Sequence, residues 1–200
     1  LSGALTANGS SVVSDGKSVT ACNADQTAAL VQNAGTLTIT GGTLTKSGDD
    51  SNGDNCNFYG INSILLAVNE KSAAYISGST LTANSEGSNG IFATDNATVF
   101  ANNDTISTTA GNSRGLDATY GGTIIANLMK ILTKGDHCAA LATDRGGGSI
   151  SVTNSTLSTA GSGSPLLYST GDIQVNNVTG TATNSQIAGM EGLNTILIYN

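Results

Sequence analysis

Three apolar residues, Leu37, Ile39 and Leu44, are spaced by two and then by five in the stretch GTLTITGGTLTKSG (35–48). The triplet returns as Ala74/Ile76/Leu81, Val99/Ala101/Ile106, Ile124/Ala126/Ile131 and Ile150/Val152/Leu157, then more weakly as Ile173/Val175/Gly180. Ile196 and Ile198 start another copy. Measured at the middle residue, the steps are 37, 25, 25, 26, 23 and 23 residues. A second motif keeps pace: GIFAT (90–94), GLDAT (115–119), AALAT (139–143) and PLLYST (165–170). It places Ile91/Ala93, Leu116/Ala118, Ala140/Ala142 and Leu167/Ser169 on one side.

A spacing of two is the mark of a strand, whose successive side chains face opposite ways. Gly, Asn, Ser and Asp separate the segments and supply tight turns. Three short strands recurring every 25 residues or so make one coil of a parallel β-solenoid. A single coil cannot bury its apolar side. Coils stacked about 4.8 Å apart bury a continuous column. The apolar residues then point inward, the threonines point outward, and the gap of five turns a corner. A β-sandwich would need antiparallel partners close in sequence, whereas the matching segments lie far apart. Segments 24–33 and 126–134 alone could pass as helix, and both fit the repeat. Residues 1–34 read as an N-terminal segment with the first coil, 35–200 as the remaining coils, and 46–63 as an inserted loop.

Composition agrees with a folded, turn-rich β protein. Glycine numbers 26 of 200 residues, there is one proline, and charged residues make up 10%. Low charge with 38% hydrophobic residues is the opposite of a disordered chain. The net charge is −7, and the seven Lys and Arg are scattered, so no basic patch exists for nucleic acid. Apolar runs such as SILLAV (63–68) are too short to span a bilayer as a helix.

The phrases GTLTITGGTLTKSG, GSTLTANSEGSNGIFAT and DRGGGSISVTNSTLSTAGSGSPLLYSTGDIQVNNVTG resemble the repeats of right-handed parallel β-helix proteins of the pectin-lyase-like, adhesin and cell-surface type. The resemblance covers roughly residues 35–200. The expected fold class is therefore all-β: a right-handed, single-stranded parallel β-helix of about seven coils. Such proteins include adhesins, surface-layer components and polysaccharide-degrading enzymes. The resemblance thus implies an extracellular or cell-surface setting and leaves the activity open.

Candidate chemistry is sparse. A lyase-like site would hold calcium with clustered aspartates beside an Arg or Lys base. Arg114 and Arg145 lie closest in sequence to Asp117 and Asp144, and surface ion pairs are the simpler reading. The one histidine, His137, lacks the paired aspartates of a polygalacturonase-like site. A non-catalytic protein without cofactor is the expectation. In the insertion KSGDDSNGDNCNFYGINS (46–63), Asp50, Asn52 and Asp54 match the first half of a calcium loop. Asn55 stands where such a loop needs Gly, and Ile61 where it needs Glu. Cys22 and Cys56 are candidates for a disulfide; Cys138 reads as a free thiol. Asn8, Asn96, Asn103, Asn154 and Asn177 begin N-x-Ser/Thr sequons, acceptors only in a host that glycosylates secreted proteins.

Two surface features remain. Thr43/Thr45, Thr80/Thr82, Thr105, Thr156 and Thr179/Thr181 flank the corner residue and form candidate threonine ladders, broken by Lys130 and Leu132. These resemble the ice-binding faces of some solenoids, and Thr is also simply a good β residue. Large residues also occupy outward positions: Leu66, Phe92, Leu141 and Tyr168 on one face, Tyr75, Phe100 and Ile125 on another. These are candidate assembly faces, or surfaces covered by residues 1–34 or by chain outside the sequence. NTILIYN (194–200) starts a coil and leaves it open, so the chain reads as a fragment or a stackable subunit. The expected partner is another copy of itself or a surface or glycan ligand. The expected function is structural or adhesive, with self-assembly into fibres or a layer. The alternatives are a carbohydrate-binding or polysaccharide-degrading β-helix using the 46–63 loop, and ice binding.

Overall fold

The computed structural model describes residues 1–200 and is a parallel β-solenoid of about eight turns. Coil one holds β1 (Ser2–Asn8), β2 (Ser11–Asp15) and β3 (Ser18–Ala21). Coil two holds β4 (Gln26–Gln32), β5 (Thr36–Thr40) and β6 (Thr43–Lys46), followed by a short helix, α1 (Gly53–Tyr59). Coil three is β7 (Leu65–Val68), β8 (Ala73–Ser77) and β9 (Thr80–Ala83), and coil four is β10 (Ile91–Thr94), β11 (Thr98–Asn102) and β12 (Thr105–Thr108). Coil five is β13 (Leu116–Ala118), β14 (Thr123–Asn127) and β15 (Lys130–Thr133). In coils six and seven the second and third strands run together: β16 (Leu141–Thr143) leads to β17 (Ser149–Thr159), and β18 (Leu167–Ser169) to β19 (Asp172–Ala182). Coil eight is β20 (Ala188–Met190) and β21 (Thr195–Tyr199).

Every pairing is between neighbouring coils and parallel, with Leu37↔Ala74↔Val99↔Ile124↔Ile150↔Ile173↔Ile196 as one inward column. The inward residues form one core cluster of 36 buried side chains. The repeat predicts about seven coils and the structure has about eight, the first of them within residues 1–34 as expected. Val12 pairs with Leu37 and Val19 with Leu44, so coil one follows the same spacing. Its signal is weak because Ser14 fills the inward place that Ile39 holds one coil on.

The gap of five has a definite backbone cause. Gly16, Gly41, Gly78, Asn103, Leu128, Asn154 and Asn177 occupy one corner position, one per coil, and all have φ between 51° and 66°. A single left-handed residue swings the chain from the second strand to the third, and Gly or Asn takes that conformation most readily. Leu128 is the misfit, with its side chain half in solvent. Gly180 breaks the Leu157 column for a different reason: a Cβ there would sit 2.3 Å from Leu166 Cδ1, so Leu166 already fills the space.

The corner from the third strand to the next coil is held by a polar ladder. The Ser88 amide donates to Ser113 Oγ (2.9 Å), the Ser113 amide to Cys138 Sγ (3.1 Å), and the Cys138 amide to Ser164 Oγ (2.9 Å). Inside it, the hydroxyls of Thr108, Thr133 and Thr159 donate to carbonyls five residues on, at 2.7, 2.7 and 2.6 Å. Cys138 is therefore a buried thiol in a serine's place, and burial pushes it up to about 11.

Candidate functional site

The outward row of the first sheet runs Leu30, Leu66, Phe92, Asp117, Ala142, Tyr168, Gly189. The insertion folds back over its first part. Asn52 caps α1 by accepting from the Asp54 amide, and Gly60 ends it at φ 70°. Gly60 lies so close that a Cβ would stand 2.4 Å from Phe92 Cγ. Leu30, Leu66 and Phe92 form a separate, fully buried cluster beneath it. The insertion is fastened from both sides: Asn89 donates to the Cys56 carbonyl (3.0 Å), and Thr119 to the Phe58 carbonyl (2.8 Å).

This corrects the first expected assembly face. Leu66 and Phe92 are completely buried under α1. Leu141 pairs with Leu116 and points into the core. The AALAT motif is thus shifted by one residue: Leu141 and Thr143 face inward, and Ala142 takes the outward place. Tyr168 alone of that group faces out, half-buried. The helix itself, outside both segments that could have passed for one, announced itself only through Asn52 at its cap and Gly60 at its end.

Where the helix stops, the row changes from bulky to small or polar, and a groove of about 270 Å³ opens, lined by Arg114, His137, Ala142, Asp144, Pro165 and Tyr168 among others. Asp117 is not part of the lining: it lies buried in the row between Phe92 and Ala142, next to the lining residues Arg114 and Ala142. Its carboxyl is completely buried and neither oxygen has a hydrogen-bond partner. Arg114 Nε stands 3.9 Å from Asp117 Oδ2, so the expected surface ion pair is a buried, loosely matched one. Burial pushes Asp117 well above the usual carboxylate range; Arg114 pulls it down and Asp144 pushes it up. Asp144 is also raised, chiefly by burial. Arg114 also donates to Asn57 of the helix, and the Arg145 guanidinium lies 3.7 Å over the Phe58 ring rather than pairing with a carboxylate. Tyr59 and Tyr120 stack beside them at 5.7 Å.

The second sheet presents the other row: Val13, Thr38, Tyr75, Phe100, Ile125, Ser151, Gln174, Leu197. Tyr75, Phe100 and Ile125 are exposed by 45, 37 and 45%. Tyr75 and Phe100 stack at 5.1 Å and 8°, so their ring faces meet each other and their edges point to solvent. They form a ridge with the small Thr38 on one side and Ser151 on the other, flanked by a shallow hollow of about 360 Å³. Beside the ridge, Asn127 donates to Asn102 (3.0 Å) and accepts from Thr153 (2.8 Å).

On the third face the threonine ranks are in register: Thr43↔Thr80↔Thr105↔Lys130↔Thr156↔Thr179, with Thr45, Thr82 and Thr181 in the parallel rank. Lys130 and Leu132 interrupt both ranks midway, as read from sequence.

The remaining candidates do not assemble. The Asn52 side chain is used as a helix cap, Asp50 packs against Cys56 and Gly87, and Asp54 is exposed in the first turn, so the half calcium loop does not converge. No group of three or more His, Cys, Asp or Glu is placed to hold a metal. The Cys22–Cys56 disulfide is not formed: Cys22 is exposed at the end of coil one, while Cys56 is the buried residue of α1 and its thiol is pushed up to about 12. All five sequon asparagines are exposed. Asn8, Asn154 and Asn177 are tied into amide ladders with neighbouring coils. No helix is long and apolar enough to cross a membrane.

The fold defines the class, a parallel β-solenoid with one helical insertion. No protein-family model matches the chain, and no curated protein or solved structure matches it.

Proposed function

We propose that this is a non-catalytic structural or adhesive solenoid, working at the cell surface or outside the cell, that associates with copies of itself through the second sheet. The observation that carries the reading is the ridge of Tyr75, Phe100 and Ile125. It stands on a face where no outward strand residue from Thr36 to Thr153 is charged. A chain of net charge −7 repels its own copies. This face keeps that repulsion at a distance and offers apolar area for contact. Ring edges, rather than ring faces, meet the solvent, which suits interdigitation with a second ridge better than stacking on a flat ligand. The likeness of the repeats to adhesin-type solenoids supports the same reading.

Light scattering and negative-stain electron microscopy over a concentration series test it. Discrete oligomers or filaments are expected, and Phe100→Asp should abolish them without unfolding the chain. A monomer at every concentration overturns the reading.

A second reading rests on Asp117. An open groove lined by Arg114, Asp144 and Tyr168, with the buried, partnerless Asp117 carboxyl behind it, favours a polyhydroxylated ligand whose hydroxyls pair with these polar groups. Under this reading a polysaccharide binds or is cleaved on the first sheet. A glycan-binding screen with Asp117→Asn and Asp144→Asn as controls tests it; binding unaffected by either variant rejects it.

A further inference from the structure

Lys46 occupies an inward strand position, the place held by Ala21 one coil earlier and by Ala83 one coil later. It is completely buried. A lysine in that column is out of keeping with the small and hydroxyl side chains that fill it elsewhere. An unpaired ammonium there would cost several kcal/mol on the order-of-magnitude scale for buried ions. The structure supplies the compensation. Lys46 Nζ donates to the carbonyls of Asn23 (3.0 Å), Gly48 (2.8 Å) and Ser47. An ammonium has three N–H donors and no acceptor, and three carbonyls match it fully. Burial pulls the group below the ordinary lysine range, while Asp25, Cys22 and Asp49 pull it back up.

The position of the cage matters. Asn23 lies at the turn of coil one, whereas Ser47 and Gly48 are the first residues of the insertion. In coils four to six the same corner is closed by a threonine hydroxyl reaching five residues ahead. The insertion makes that reach impossible, and a hydroxyl on Cβ cannot span to the turn of the coil below. A four-carbon stem with a charged tip can.

We propose that the carbonyls of Asn23, Ser47 and Gly48 form a binding site for a primary ammonium group, filled from within by Lys46, and that this site ties the root of the insertion to coil one. The site selects for N–H donors: a primary alkylammonium fits it, and a quaternary ammonium of the same charge does not. The cover over Leu66 and Phe92 depends on it, because Gly48 also accepts from Asn62 at the far end of the insertion (3.0 Å).

Hydrogen exchange read by mass spectrometry tests this on the whole chain. In Lys46→Met, amides of 53–62 should lose protection by about tenfold or more, while those of β14 and β17 keep theirs. In Lys46→Ala, methylammonium should restore protection of 53–62 in a saturable way, and tetramethylammonium at equal ionic strength should not. Unchanged exchange in Lys46→Met, or equal rescue by the two cations, overturns the proposal. A measurement on the unaltered protein guards against variants that fail to fold. Among its five lysines, Lys46 should be the last to react with acetic anhydride; acetylation as fast as at Lys71 or Lys130 overturns it as well.

Discussion

Leu30, Leu66 and Phe92 on the first sheet and Tyr75, Phe100 and Ile125 on the second occupy the same kind of place, the outward side of a parallel strand, one residue per coil. The first three are completely buried and the second three are exposed by 37 to 45%. Nothing in the strands distinguishes them. The difference is made by one corner of coil two, where seventeen residues, 47–63, separate β6 from the first-sheet level of Ile64 and Leu65. That excess is long enough to form a helix and lie down on the neighbouring face. Whether an outward apolar residue of this solenoid is covered by its own chain therefore depends on the length of the nearby corners.

The strongest way to break the contrast is Phe92→Ala. It empties a sealed site beneath Gly60, and truncating a buried Phe costs about 3–5 kcal/mol. Urea denaturation should show a midpoint lowered accordingly, with a first, separate loss of protection in the insertion. A change below about 1 kcal/mol would mean that the helix does not seal the row.

Burial also sets the charge state of two carboxyls in the coils, Asp104 and Asp117. Asp104, at the corner after β11, is 1% exposed; one oxygen accepts from the Ser79 amide (2.8 Å) and the other has no partner. Burial pushes it from 3.8 to about 6. The folded state then holds a proton that the unfolded state has released, so stability falls as pH rises from about 4 to about 6 and flattens above. Asp117 acts with the same sign. Asp104→Asn keeps the acceptor for Ser79 and removes the titration. It should raise stability at pH 7 by about 2–3 kcal/mol, the size of such a shift, and leave stability at pH 3 nearly unchanged. Equal effects at both pH values would reject the assignment.

A smaller effect is expected at Leu128, the one bulky side chain among the left-handed corner residues. Leu128→Asn removes a steric penalty of about 1 kcal/mol and gives up little, since the side chain is 51% exposed. Thermal unfolding should move up by a few degrees. No gain would mean that Leu128 carries little strain at this corner or that its side chain contributes contacts that offset it.

Much of this was legible in the sequence, for reasons that can be named. The inward columns showed because apolar residues at strand spacing recur in every coil, and the corner showed because a left-handed residue demands Gly or Asn. The outward placement of Tyr75, Phe100 and Ile125 follows from the strand alternation, and these side chains stay exposed because no long insertion adjoins the second sheet. Phe92 and Leu66 were misread because their cover comes from a segment with no repeat to compare it with. Leu141 was misread because AALAT offers two alternations of similar apolarity, and only the pairing with Leu116 chooses between them. The burial of Asp117 is not legible because the sequence does not show what covers its place in the row. The role of Lys46 is not legible either, since it lies in carbonyl positions that side-chain patterns do not encode.

The opposite pole from Phe92 is Phe100, and it gives a much smaller expected change in stability. Phe100→Thr removes an exposed ring from the middle of the ridge and puts a good strand former in its place. The chain should lose about 0.5–1.5 kcal/mol, the worth of the stack on Tyr75 for such pairs. Association should respond far more than stability does: the concentration at which oligomers form should rise at least tenfold. The two readings separate cleanly when urea midpoint and light scattering are taken on the same sample. A variant within that margin of the parent yet unable to associate places the exposed row in an interface between copies. A variant that associates as before moves the contact elsewhere, to the threonine ranks or the groove beside Asp117.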